Sequence, residues 1–199
     1  MTHPIVLAIT GASGVVYGRR LLEVLLGLKQ SVHLTISESG RQVLRHELSV
    51  DVDLANFQLS QLLPATKLAA DQLVYHRYDN FMAPIASGSF RTRAMVVCPC
   101  SGSTLSGIAT AASGNLIQRA ADVHLKERRP LILVPRETPL SLIQIENMRT
   151  VTLAGATVLP AAPGFYHGCD KIENLVDFVV ARVLDQLHVE HQLMRRWGD

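Results

Sequence analysis

The chain has 199 residues, 48% hydrophobic and 18% charged, and its 19 Lys and Arg against 17 Asp and Glu leave a net charge of only +2. That length suits a single domain burying roughly 70% of its unfolded surface. The low charge and high apolar content exclude a disordered chain, and no apolar run approaches the ~20 residues of a membrane span. The weak charge gives no footprint for bulk nucleic-acid binding.

The start MTHPIVLAIT carries neither the basic stretch nor the cleavage site of a signal peptide. With three sparse cysteines (Cys98, Cys100 and Cys169), the expectation is a cytoplasmic protein with reduced thiols. The apolar content exceeds what the size requires, which points to buried subunit interfaces.

In chain order, the apolar runs alternate between strand length and helical period. Ile5–Thr10 reads as a buried strand, because its β-branched residues run without polar alternation. A glycine-rich turn leads to a helix over Val15–Leu28, spaced through Leu21, Leu22, Leu25 and Leu28. Val32–Ile36 is a second strand, with Ser37 placed to cap the helix after it. Residues 49–72 show no period, and Val74–Tyr78 reads as a short strand. Met95–Cys98 is a clearer strand, stopped by Pro99. Helices follow at Ser103–Ala112 and Leu116–Lys126, then a strand at Leu131–Val134. Leu140–Ala154 reads as a helix stopped by Gly155, and Thr157–Leu159 as a last strand. The final helix, Ile172–Leu187, has a broad apolar face and puts Phe178, Ala181, Arg182 and Asp185 on the far side. Residues 1–187 read as a single domain, and 188–199 as a tail packing on a neighbour or near the site.

Strands and helices alternating without hairpin signals imply right-handed crossovers and a parallel sheet covered on both faces: a doubly wound, Rossmann-like, three-layer α/β/α fold. Ligands in such sheets lie beyond the strands' carboxyl ends, so the loops of interest are 11–18, 37–40, 84–90, 99–104, 135–139 and 160–168. Gly11-Ala12-Ser13-Gly14 offers flexible backbone and a helix start to an anion. Its spacing is not G-x-G-x-x-G, and Glu38 stands where a ribose partner would in dinucleotide enzymes. Ser101-Gly102-Ser103-Thr104 and Ser87-Gly88-Ser89 repeat the hydroxyl chemistry. Three such loops in one α/β chain favour a phosphorylated cofactor.

Arg119, Asp122, Lys126 and Arg129 fall along one helical stripe, where a solvated face with an Asp122–Lys126 pair accounts for Arg119 and Arg129. Arg136-Glu137 follows a strand at the ligand-facing edge. Metal signals are weak: Cys98-Pro99-Cys100 has no second cluster, and His188 and His191 read as solvated. No metal site is expected.

The segments TGASGVVYG (10–18), PIASGSF (84–90), PCSGSTLSGIA (99–109), NLIQRAADVHLKERRPLILVPRETPL (115–140), GATVLPAAPGFYH (155–167) and LVDFVVARVLDQL (175–187) resemble the UbiX-type flavin prenyltransferases over nearly the whole chain. The resemblance implies a homododecamer with active sites shared between protomers. It also implies a metal-independent reaction, in which dimethylallyl monophosphate alkylates reduced FMN at N5 and a second bond closes at C6. The product, prenylated FMN, serves a separate UbiD-type decarboxylase.

On that resemblance, Gly11, Ala12, Ser13, Ser37, Ser101, Gly102, Ser103, Thr104 and Arg136 match FMN contacts. Lys126, Tyr166 and Arg182 match contacts to the prenyl phosphate, and Ser87, Gly88 and Ser89 a loop beside flavin and prenyl group. Ser13, Glu47, Glu137 and Lys126 match residues tied to the chemistry. Phe81 stands where some relatives carry tryptophan, and Trp197 at a position near the site. An FMN-dependent decarboxylase or oxidoreductase of a small substrate, and a non-catalytic flavin carrier, stay open as alternatives.

Overall fold

A computed structural model of the chain describes residues 3–64, 70–165, 170–194 and 198. Six strands form one sheet: β1 (Ile5–Ile9), β2 (Val32–Ile36), β3 (Leu73–Tyr75), β4 (Ala94–Cys100), β5 (Leu131–Pro135) and β6 (Thr157–Val158). Their order is β3-β2-β1-β4-β5-β6, and every pairing is parallel. The helices are α1 (Val15–Gly27), α2 (Glu38–Leu48), α3 (Leu59–Leu62), α4 (Gly102–Ala109), α5 (Leu116–Lys126), α6 (Leu142–Leu153) and α7 (Ile172–Gln186).

The expected strands have no polar alternation because both sheet faces are covered. Ile5, Leu7 and Ile9 join the core under α1 and α7, while Val6 and Ala8 join the one under α5. Leu21, Leu22 and Leu25 of α1 are fully buried, each burial stabilising by about 1.5–3 kcal/mol. The strand order reverses between β1 and β4, which opens the crevice at their carboxyl ends.

Three expectations need correction. Pro99 does not stop its strand, because β4 continues to Cys100 with a register shift between Val97 and Cys100. The Pro99 carbonyl there accepts from the Thr10 amide (3.3 Å) and hydroxyl (2.7 Å). The shift sends Cys98 and Cys100 to opposite cores, and both are buried.

On α7, Ala181 is fully buried and Phe178 packs against the α1-side core, so the far side is narrower than the helical wheel indicates. Ile172 at its start is instead exposed. His191 is not solvated: its side chain is 3% exposed and its Nε2 lies 3.2 Å from Asp185 Oδ1. Beyond α7, Val189 and Leu193 pack on the chain's own core.

Candidate active site

At the carboxyl edge the ends of β1, β2 and β4 are tied into one cradle. The buried Thr10 hydroxyl donates to the Pro99 carbonyl and accepts from the Ser101 amide at 2.8 Å. The Ser37 amide donates to the Ile9 carbonyl. Gly14, at φ +98, turns the chain into α1, a conformation that favours glycine. Ser37 caps α2 by accepting from the Gly40 amide, and Ser101 caps α4 by accepting from the Thr104 amide. First-turn amides left over by such capping are ordinary phosphate ligands.

Glu47 reaches across from α2 to the start of α1, where its carboxylate accepts from the amides of Gly14 (2.9 Å) and Val15 (3.2 Å). A negative charge is favoured there by the helix dipole. Arg136, just past β5, donates through Nε to the Ser13 carbonyl, bringing a cation to the same loop. Glu137 accepts from the Thr138 amide and from Gln144 on α6 rather than pairing with Arg136. Glu38 is held by Arg41 at 2.7 Å, so its carboxylate already has a partner.

Donor-rich loops, two capped helix starts and a guanidinium fit the phosphate tail of a flavin nucleotide. Gly11, Ala12, Ser13, Ser37, Ser101–Thr104 and Arg136 would hold it, and Glu47 and Glu137 lie at the same edge. Among the described residues no group of three His, Cys, Asp or Glu is placed to hold a metal. The Cys98 and Cys100 thiols are buried away from the cradle's opening, and that burial pushes Cys100 up to about 12 and raises Cys98 as well, with Cys100 adding to the shift.

The other predicted residues lie elsewhere. The segment 84–92 leads into β4, and α5 ends just before β5, so Gly88 and Lys126 meet at the amino edge of the sheet. There the Met95 amide donates to the Pro130 carbonyl. This corrects the placing of 84–90 among the carboxyl-edge loops. Lys126 bonds Glu127 rather than Asp122, and Asp122 pairs with Arg119. The Lys126 ammonium holds the Glu127 carboxyl below its ordinary value. The Ser87 and Ser89 hydroxyls lie 2.9 Å apart and are exposed.

Arg182 sits on α7, across the sheet from α5, and pairs with Asp185 at 2.7 Å. Phe81 is 47% exposed. Tyr166 and Trp197 lie outside the described residues. Sequence reasoning missed the parts played by Arg119 and Arg129. Arg119 donates to the Ala86 carbonyl, and Arg129 donates to those of Gly88 and Phe90.

The Flavoprotein family model matches residues 1–184. The flavin prenyltransferases UbiX of Halalkalibacterium halodurans and Pseudomonas aeruginosa are each 49% identical to the chain. The first alignment covers 96% of this chain and 91% of the relative, the second 98% and 94%. The chain belongs to the UbiX flavin prenyltransferase family.

Solved UbiX structures share the fold. A dodecameric FMN-dependent UbiX-like decarboxylase from Escherichia coli O157:H7 superposes with a TM-score of 0.86 at 37% identity, covering 98% of this chain and 100% of that one. AnUbiX, in complex with FMN and dimethylallyl pyrophosphate, gives 0.87 at 37% identity over 100% and 99%. Across such UbiX proteins the sheet and its two helical layers are shared.

Proposed function

We propose that the chain transfers the dimethylallyl group of dimethylallyl monophosphate to N5 and C6 of reduced FMN, giving prenylated FMN for a UbiD-type decarboxylase. The observation that carries this reading is a separation. The flavin-tail cradle lies at the carboxyl edge of the sheet, the Lys126 and Ser87–Ser89 cluster at the amino edge, and Arg182 on the opposite face. Residues so divided complete one site only where subunits meet. The relatives' dodecameric assembly and their FMN and dimethylallyl ligands support that arrangement. The exposed apolar side chains of α6 (Leu142, Ile143, Ile145 and Leu153) supply surface for it. Buried, reduced Cys98 and Cys100 are consistent with a cytoplasmic setting.

Reduced FMN, when bound, supplies the nucleophilic ring positions. The residues of this chain do the rest. Lys126 and Arg182 clamp the monophosphate and stabilise it as the allylic C–O bond breaks, a task two cations perform without a metal. Ser87 and Ser89 offer hydroxyls beside them, and Tyr166 joins the clamp on the family resemblance. Ser13, Glu47 and Glu137 hold or move protons at the flavin side, where Gln144 orients the Glu137 carboxylate.

Reduced FMN and dimethylallyl monophosphate, incubated with the enzyme without added metal, should yield a flavin heavier by one five-carbon unit by mass spectrometry. A parallel arm with the diphosphate tests donor preference. Glu137→Gln should slow product formation with FMN still bound. No adduct with either donor overturns the reading, and full turnover by Glu137→Gln reduces the protein to a flavin carrier.

A further inference from the structure

The segment 84–92 carries polar groups on two sides. Its carbonyls at alternate residues are taken by basic side chains of α5 and the turn after it. Arg119 Nε donates to the Ala86 carbonyl at 3.1 Å, and the two terminal nitrogens of Arg129 donate to the Gly88 carbonyl at 2.6 Å and the Phe90 carbonyl at 2.7 Å. The intervening hydroxyls, Ser87 and Ser89, stay exposed and bonded to each other. The side chain of Arg129 is only 16% exposed, and its planar fork spans two carbonyls that a single ammonium would not hold together.

Two further features fix Arg129. α5 ends in a Schellman turn, in which the Arg128 amide donates to the Leu125 carbonyl and the Arg129 amide to that of His124. That turn brings the Arg129 side chain back against the segment. The buried Thr92 hydroxyl, 3.4 Å from Arg129, lies 2.8 Å from Nε2 of His124, whose Nδ1 is 2.7 Å from the Ala120 carbonyl. At Gly88 the segment presses so closely on α5's end that an added Cβ would stand 2.8 Å from Lys126 Nζ and closer still to the Glu127 carboxylate. The position of Gly88 therefore decides where Lys126 can reach.

We propose that Arg129 is a positioning residue for the prenyl-phosphate site, latching Gly88 and Phe90 so that Lys126 and the Ser87 and Ser89 hydroxyls converge on one anion. This rests on the functional reading above for the identity of the anion, whereas the latch is a property of the chain itself. Arg129 spends its guanidinium on the Gly88 and Phe90 carbonyls, at the amino edge and away from the flavin-tail cradle, so its removal should weaken one ligand and spare the other.

The test compares Arg129→Gln and Arg129→Lys with the wild-type enzyme. In Arg129→Gln, KM for dimethylallyl monophosphate should rise about tenfold or more, while the FMN dissociation constant changes by less than about threefold. Arg129→Lys should fall between the two, and it carries the test if the Gln variant fails to fold. Hydrogen exchange supplies a readout independent of turnover: amides of residues 86–90 should exchange faster in Arg129→Gln, with those of β1 and α1 unchanged. An unchanged KM, or equal losses for FMN and the prenyl donor, overturns the proposal, as does unaltered exchange at 86–90. If the wild-type enzyme forms no adduct, the functional reading falls, and the exchange result alone decides whether the latch exists.

Discussion

Single atoms set the tolerance of the site. Gly18 lies on the face of α1 that meets β4, where a Cβ would overlap the Cys98 carbonyl oxygen and stand 3.1 Å from Ile9 Cγ1. Both obstacles belong to rigid strands, so Gly18→Ala must push the helix outward, and about 1–3 kcal/mol of stability should be lost in urea denaturation. Thr10→Val keeps the shape but deletes the hydroxyl that links β1 to the Pro99 carbonyl and the Ser101 amide. The orphaned buried amide should cost about 1–3 kcal/mol, and titration should show weaker FMN binding because the two loops of the cradle come apart. The glycine- and serine-rich loops after β1 and β4 are legible in sequence, whereas Thr10 reads there only as the end of a strand and its link to β4 follows from the fold. Arg129 was not legible. Its place in the stripe with Arg119 reads as solvated, and only the turn after α5 brings it onto backbone carbonyls distant in sequence.

Every helix but α3 ends by one device, and it explains where their limits were readable. Lys29, Ser49, Ala111, Arg128, Gly155 and His188 all have positive φ, each just past a helix. The amides of Gln30, Ala112, Arg129, Ala156 and Val189 close back onto carbonyls of Leu25, Gly107, His124, Val151 and Leu184. Only Gly155 announces the left-handed turn by its residue type, and there the expected stop holds. At α1, α4 and α7 the apolar pattern runs past the turn, so the expected helices overrun by one to three residues. Strands β1, β2 and β5 were legible because buried β-branched runs have no competing reading. The stretch from 49 to 72 was not, because α3 spans a single turn and buries only Leu62. The capping pattern gives a prediction at this scale. Lys29 is exposed at φ 56, so Lys29→Gly relieves strain without losing a contact. The gain should be about 0.5–1 kcal/mol, read as a melting temperature higher by roughly 1–4 °C.

At the scale of the molecule, the two cores differ in what they bury. The α1-side core is nearly all aliphatic, whereas the other side of the sheet encloses three histidines. His33 Nδ1 lies 2.9 Å from His76 Nε2, with His33 against the Phe90 ring, and His124 bridges Thr92 and Ala120. Burial, reinforced by His76, lowers His33 to about 4. Burial lowers His124 to about 4 as well, with Arg129 adding to it, and it lowers His76. Each group is therefore neutral in the fold but takes a proton in the unfolded chain near 6.5. The stability they contribute is complete above that value and is lost as pH falls from about 6.5 toward 4. Asp53, Asp79 and Glu127 are held below their ordinary values by hydrogen bonds, from the Asn56 amide, Arg77 and Lys126 respectively, and so weaken the fold only at lower pH. The melting temperature should thus be level between pH 7 and about 8, below the range where the unfolded thiols ionise, and fall steadily below 6.5. His124→Gln, whose amide can still bond Thr92 and the Ala120 carbonyl, should make that fall shallower. Because Thr92 also touches Arg129, the same acidification should raise hydrogen exchange at residues 86–90 before the sheet opens. A melting temperature constant from pH 7 to 4.5 would show that the three rings are not buried neutral, and the packing described for this face would be wrong.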